Sequence, residues 1–201
     1  MKEILLQDKI LAGLVAQFGP CTLKAERGNP YEALVYSIIG QQLSGKAART
    51  IRGRFFAFYG DENKCPAPEQ ILNTTMEEFR AVGVSGQKAG YLVDLARHVQ
   101  EELLDLKNIK KLSDEEVIAA LVAVKGIGEW TAHMFLMFHL GRPDVLPIGD
   151  LGVRKGMMMA YNLRKLPTPE RMHQIAKHWK PYRSAGAWYM WKIADTVNKN
   201  R

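Results

Sequence analysis

An all-α fold is predicted by three observations. Apolar residues recur at helical spacing in nearly every segment, no run alternates as a strand would, and capping residues, glycines and prolines divide the chain into helix-length pieces. The chain has 201 residues, 47% of them hydrophobic, enough for one compact domain or two small lobes and well outside the range of disordered chains.

The elements follow in order. Met1 to Phe18 is an amphipathic stretch that mixes Gln7, Asp8 and Lys9 into its apolar residues, so it lacks the unbroken apolar core of a signal peptide. No segment reaches the roughly 20 apolar residues of a membrane span. Pro30 opens a helix through Tyr31, Leu34, Val35, Ile38 and Ile39 that stops near Gly40. Ser44 caps the next, which carries Ala48, Ile51, Phe55 and Phe58 and ends at Gly60, before the loop of Pro66 and Pro68. A shorter pair of helices reaches Val82. Ser85 then caps a helix with Ala89, Leu92, Ala96, Val99 and Leu103 on one face. Ser113-Asp-Glu-Glu116 is a capping box leading into Val117, Leu121 and Val124, with Gly126 as the stop. A second helix runs from about Glu129 to Leu140, and Asp150 stands at the mouth of another carrying Val153 and Met157. Thr168-Pro169-Glu170 starts the penultimate helix and Pro181 the last. No repeat or long linker separates independent domains.

Lys and Arg total 28 against 21 for Asp and Glu, a net charge of +7 that favours polyanionic partners. The basic residues Lys46, Arg49, Arg52, Arg54, Lys88, Lys125, Arg154, Lys155, Lys180 and Arg183 are dispersed, so a phosphate-binding surface has to be assembled by folding. Cys21 and Cys65 are too few and too far apart for a zinc or iron–sulfur site, and read as free thiols of a reducing cytoplasm. His98 stands alone; His133 and His139 are six apart and His173 and His178 five apart, which puts neither pair on one helical face at ligand spacing. No catalytic metal is expected.

The densest cluster of signals is Leu121-Val-Ala-Val-Lys-Gly-Ile-Gly-Glu-Trp-Thr-Ala132, followed by Gly149-Asp150. Gly126 and Gly128 flank one aliphatic residue between two helical segments, so the backbone can turn tightly and approach a ligand with no Cβ in the way. Amides at the start of the second helix then face an anion. By itself this is also an ordinary helical turn, and Asp150 an ordinary N-cap.

Val124-Lys-Gly-Ile-Gly-Glu-Trp-Thr-Ala132 with Leu146-Pro-Ile-Gly-Asp-Leu-Gly-Val153 resembles the helix-hairpin-helix DNA glycosylase superfamily. Ile38-Ile-Gly-Gln-Gln-Leu-Ser44, Gly83-Val-Ser-Gly-Gln-Lys-Ala89-Gly-Tyr-Leu92 and Trp179-Lys-Pro-Tyr-Arg-Ser184 followed by Trp191 are similar to its DNA-3-methyladenine glycosylase II branch, which excises alkylated bases. The resemblance spans Pro30 to Trp191. It implies a single two-lobed helical domain over 1–201, with lobes at about 31–139 and at 1–30 plus 140–201, a cleft between them, and no N-terminal β domain of the kind better-known relatives carry.

The resemblance also implies roles. Asp150 is the catalytic carboxylate that stabilises an oxocarbenium-like transition state and orients or deprotonates water. Trp130 stands where strand-cutting members carry a nucleophilic lysine, which implies a monofunctional enzyme of base excision repair without lyase activity. Trp130 and Trp191 match aromatic positions of the pocket for a flipped base. Gln42 or Leu43 is the wedge that fills the vacated stack, with capping of the core as the plainer role for Leu43. Lys125 and the amides of Gly126 and Gly128 contact phosphates, Thr131 adds a hydroxyl, and Lys88, Arg154 and Lys155 extend the surface. Family hairpins also bind a monovalent cation through carbonyls; no other cofactor is implied. The implied partner is double-stranded DNA with alkylated bases, engaged by a soluble intracellular monomer with no membrane contact, cytoplasmic and nucleoid-associated in a bacterium or nuclear in a eukaryote. The reading of a different class is a noncatalytic helix-hairpin-helix module that holds damaged DNA.

Overall fold

Capping chemistry sets where the helices begin. Asp8, Asn29, Ser44, Thr75, Ser85, Ser113, Asp150 and Thr168 each accept an amide of the first turn beyond them, which satisfies donors that have no partner inside the helix. The computed structural model describes residues 7–26 and 28–198. It contains α1 (Lys9–Phe18), α2 (Pro30–Gly40), α3 (Gly45–Phe58), α4 (Pro68–Leu72), α5 (Met76–Ala81), α6 (Gly86–Gln100), α7 (Asp114–Val122), α8 (Glu129–Met134), α9 (Leu151–Ala160), α10 (Pro169–Ala176) and α11 (Arg183–Asn198). Among the described residues there is no strand, and no helix is long and apolar enough to cross a membrane. The predicted amphipathic start falls partly on residues 1–6, outside the described residues.

The chain forms two compact units, Arg27–Phe135 and Met1–Glu26 with Leu136–Arg201. In the first, Leu34, Val35, Ile38, Phe55, Phe56, Phe79, Leu92, Leu95, Val117 and Leu121 are buried together with their helices' apolar faces. The second is built on Leu11, Val153, Met157, Met172, Trp179, Tyr189 and Met190. Here α9 lies so close to α11 that a Cβ on Gly156 would stand 2.1 Å from the Met190 carbonyl oxygen. Asp8 braces this unit at a distance, accepting both the Tyr161 hydroxyl at 2.5 Å and the Trp179 indole N–H at 3.2 Å.

Three boundaries differ from the sequence expectation. The helix after Ser85 ends at Gln100, because Glu102 adopts φ 56° and turns the chain; Leu103 is therefore 66% exposed and not part of the apolar face. Pro181 precedes the last helix by two residues, in a turn closed by the Tyr182 N–H on the Trp179 carbonyl at 2.7 Å. The segment expected as one helix from Glu129 to Leu140 is α-helical through Met134 and a π-helix over Phe135–Leu140. The wider π turn buries Phe135, Leu136 and Met137 but leaves Phe138 37% exposed, and such turns occur often at functional sites.

Candidate functional site

In the unit Arg27–Phe135 the chain leaves α2 through a four-residue turn, closed by the Leu43 N–H on the Gly40 carbonyl at 3.1 Å. Gln41 has φ −52° and ψ 131° and Gln42 has φ 58°, the geometry of a type II turn, whose third position normally asks for Gly or Asn. A glutamine there is held against its backbone preference at a cost of about 1–3 kcal/mol. Gln42 is exposed, and Leu43, at 36% exposure, does not cap the core.

The turn is fastened from two sides. The Lys88 ammonium donates to the carbonyls of Ile39 and Gln41 at 2.8 and 2.7 Å, satisfying the C-terminal end of α2. Burial pulls its pKa below the ordinary lysine value. Lys88 was expected to extend a phosphate surface; its charge is instead committed to the turn. The Gln41 side-chain amide donates to the Gly126 carbonyl at 2.8 Å, joining the turn to the hairpin between α7 and α8.

The hairpin separates the roles of its two glycines. Gly126 has φ 82°, and a Cβ there would meet the Tyr91 ring at 2.2 Å, so the fold itself requires it. Gly128 has φ −94°, and a Cβ would enter open space; neither packing nor backbone demands glycine at that position. Lys125 is exposed, while its backbone N–H donates to Asp94 Oδ2 at 2.8 Å. Burial alone would push the Asp94 carboxyl up, but the Lys125 amide, Arg97 and His98 outweigh it and hold it below the usual carboxylate value. A group with a depressed folded pKa contributes stability that is complete above its ordinary value of 3.8 and fades as pH falls through the folded value. In acid titrations of stability, the gap between wild type and Asp94→Asn is expected to narrow below that pH; a constant gap would show that the carboxylate's charge contributes nothing to holding the hairpin.

Turn and hairpin line one pocket of about 710 Å³, with Tyr36, Ser37, Gln42, Leu43, Tyr91, Gly126, Trp130 and Thr131 on its walls. Trp130 is 47% exposed. Thr131, expected to offer a hydroxyl to a phosphate, is 5% exposed and lines this pocket, which takes it off the hairpin's outer face.

In the other unit Asp150 caps α9 and is 8% exposed. Its Oδ1 accepts the Val153 N–H at 2.7 Å and the Trp191 indole N–H at 2.8 Å. Trp191 stacks on Phe138 with ring centres 5.7 Å apart. Gly152 makes room for this pair, since a Cβ there would lie 2.8 Å from Trp191 Cδ1 and 3.1 Å from Asp150 Oδ1. The chain leading to Asp150 is pinned by the motif that opens α11. Arg183 grips Asp144 through Nε at 2.7 Å and Nη2 at 3.0 Å. Ser184 Oγ accepts the Val145 N–H at 3.0 Å and donates to the Arg142 carbonyl at 2.7 Å.

Sequence reading thus missed Asp94, Phe138, Gly152 and the structural use of Gln41 and Lys88. Only Asp94 carried a signal, a carboxylate among Leu92, Leu95 and Ala96 with basic residues three and four positions on. No group of three or more His, Cys, Asp or Glu among the described residues is arranged to hold a metal.

An all-α scaffold with a glycine-turned hairpin and a carboxylate buried at a helix N-terminus defines a protein of the helix-hairpin-helix class. Residues 35–181 match the family described as HhH-GPD superfamily base excision DNA repair protein, and the chain belongs to that superfamily. It is 37% identical over 191 residues to DNA-3-methyladenine glycosylase 1 of Schizosaccharomyces pombe, covering 94% of this chain and 83% of that one. Among solved structures, a DNA-3-methyladenine glycosidase from Bacillus halodurans superposes with a TM-score of 0.86 at 36% identity, over 98% of this chain and 89% of that one. The S. pombe 3-methyladenine DNA glycosylase in complex with abasic DNA does so with a TM-score of 0.82 at 36% identity, over 95% of each.

Proposed function

We propose that this protein is a monofunctional DNA glycosylase of base excision repair that hydrolyses the N-glycosidic bond of alkylated purines of the 3-methyladenine type, flipped out of duplex DNA. The observation that carries the reading is the Asp150 carboxylate, buried and oriented by an amide and an indole N–H on the same oxygen. The amide makes the helix cap, and the indole adds a second bond that fixes the orientation of the carboxylate.

The chemistry follows from charge. Alkylation at a ring nitrogen makes the purine cationic, so when the bond from C1′ to the base breaks, the electron pair leaves with a base that becomes neutral. Positive charge then develops on the sugar, and Asp150 stabilises it. Water adds to C1′ and loses a proton, which the carboxylate accepts or directs, leaving free base and an abasic sugar. Trp130 and Trp191 offer indole faces that favour a cationic base by roughly 1–2 kcal/mol over a neutral one.

Gln42 is the inserted wedge, with Leu43 beside it; its exposure and left-handed backbone support that role. Lys125 and the amides of Gly126 and Gly128 hold a phosphate. The open space in front of Gly128 supports an approach there, because a Cβ would obstruct a ligand and nothing else. Carbonyls of the same hairpin hold a monovalent cation. With tryptophan at position 130, the place of the strand-cutting members' nucleophilic lysine holds no amine.

Randomly methylated duplex DNA tests this reading. Free 3-methyladenine is expected by chromatography, with an alkali-labile but uncut strand and no protein–DNA adduct after borohydride. A trapped adduct would overturn the monofunctional mechanism. Tight binding to abasic DNA with no base released would assign the chain instead to the noncatalytic, damage-holding class.

A further inference from the structure

We propose that Lys88 and Gln41 form a latch that locks the left-handed Gln42 turn to the Gly126 hairpin, so that insertion into the duplex and the grip on the strand act as one rigid device. The inference rests on Gln42 as the wedge. Three hydrogen bonds carry it, two from the Lys88 ammonium to the Ile39 and Gln41 carbonyls and one from the Gln41 amide to the Gly126 carbonyl. They link residues 49, 47 and 85 positions apart in the chain, and Gln41, Lys88 and Gly126 line the same pocket.

A left-handed glutamine persists only where its surroundings over-determine it. Leu43 closes the turn with one backbone bond, which an ordinary type I turn with negative φ makes equally well. What excludes that relaxed alternative is the position of the Gln41 carbonyl, which points to Lys88, and of the Gln41 side chain, which points to Gly126. Gly126 itself cannot shift toward α6, because Tyr91 packs against its Cα. The latch therefore stores the wedge conformation in the free protein, so insertion does not have to select a minor turn conformer. Lys88 and Gln41 are positioning residues in this scheme; neither touches the reacting atoms.

Lys88→Met keeps the aliphatic stem and removes the donors. Affinity is measured by fluorescence anisotropy for a duplex with a tetrahydrofuran abasic analogue and for the same duplex undamaged. The variant is expected to lose about tenfold of its preference for the abasic duplex, the equivalent of releasing one strained left-handed residue, and a similar factor in single-turnover base release. Affinity for the undamaged duplex and its salt dependence should stay at the wild-type values. A slope lower by about 0.9 would make Lys88 a phosphate contact and overturn the latch. An unchanged abasic preference with a lowered melting temperature would reduce Lys88 to a stabiliser of α2.

Gln41→Leu provides an independent reading should Lys88→Met fail to fold, and the same loss of preference is expected. In the double variant the losses should not multiply, because either break frees the turn; multiplying losses would make the two residues independent contacts. Abasic affinity reads the latch even if the wild type releases no base, so failure of the glycosylase reading and failure of the latch are distinguishable.

Discussion

Asp150→Asn is expected to lower single-turnover base release from methylated duplex DNA by about 10²–10³-fold, the scale of removing one preorganised electrostatic group from a catalytic site. Asparagine is nearly isosteric and caps a helix about as well as aspartate. Its carbonyl oxygen can still accept the Val153 amide and the Trp191 indole, whose bonds to Oδ1 are 2.7 and 2.8 Å. The melting temperature and the affinity for an abasic duplex should therefore stay close to wild type. In the proposed mechanism the substitution removes the negative charge that faces the developing sugar cation and the ability to take a proton from water. Release within a few-fold of wild type at saturating enzyme would remove Asp150 from the chemistry and leave it as a helix cap.

Gly156→Ala is expected to give the largest loss of stability. In an isolated helix this exchange is favourable, because alanine loses less backbone entropy. In this protein the added Cβ would stand 2.1 Å from the Met190 carbonyl oxygen and 2.7 Å from its Cα. The obstruction is backbone, so no rotamer change relieves it, and α9 has to move away from α11. Overpacking of this kind costs about 3 kcal/mol or more, a fall of roughly 6–12 °C in the melting temperature for a chain of this size. Since α9 begins at Asp150 and α11 carries Trp191, base release per folded molecule should also fall. A melting temperature equal to or above that of wild type would show that the two helices separate freely.

Much of the helical framework was legible because helix starts are local chemistry. Ser44, Ser85, Ser113, Asp150 and Thr168 cap helices as their positions predict, since a capping oxygen meets an amide two or three residues along the same chain. Helix ends were read less well. Leu103 continued the apolar period past Gln100, but Glu102 turns the chain first, and periodicity carries no record of φ. The switch to π geometry at Phe135 also left no mark in the sequence.

The site divides along the same line. The order of hairpin and carboxylate along the chain was legible in the residues themselves, while the resemblance to the glycosylase superfamily implied the meaning of tryptophan at position 130 and of the turn at Gln42 and Leu43. Tertiary structure decided which glycine the fold itself needs, and that Lys88 serves a turn. It also turned Thr131 inward and put the Trp191 N–H on Asp150. Three of these depend on a partner brought close by packing, Tyr91 for Gly126, Ile39 and Gln41 for Lys88, Asp150 for Trp191. A lysine or tryptophan has the same chemistry on a solvated face as in a network; only the distance to groups 41 or more residues away determines whether its hydrogen bond is to water or to the machinery of the site.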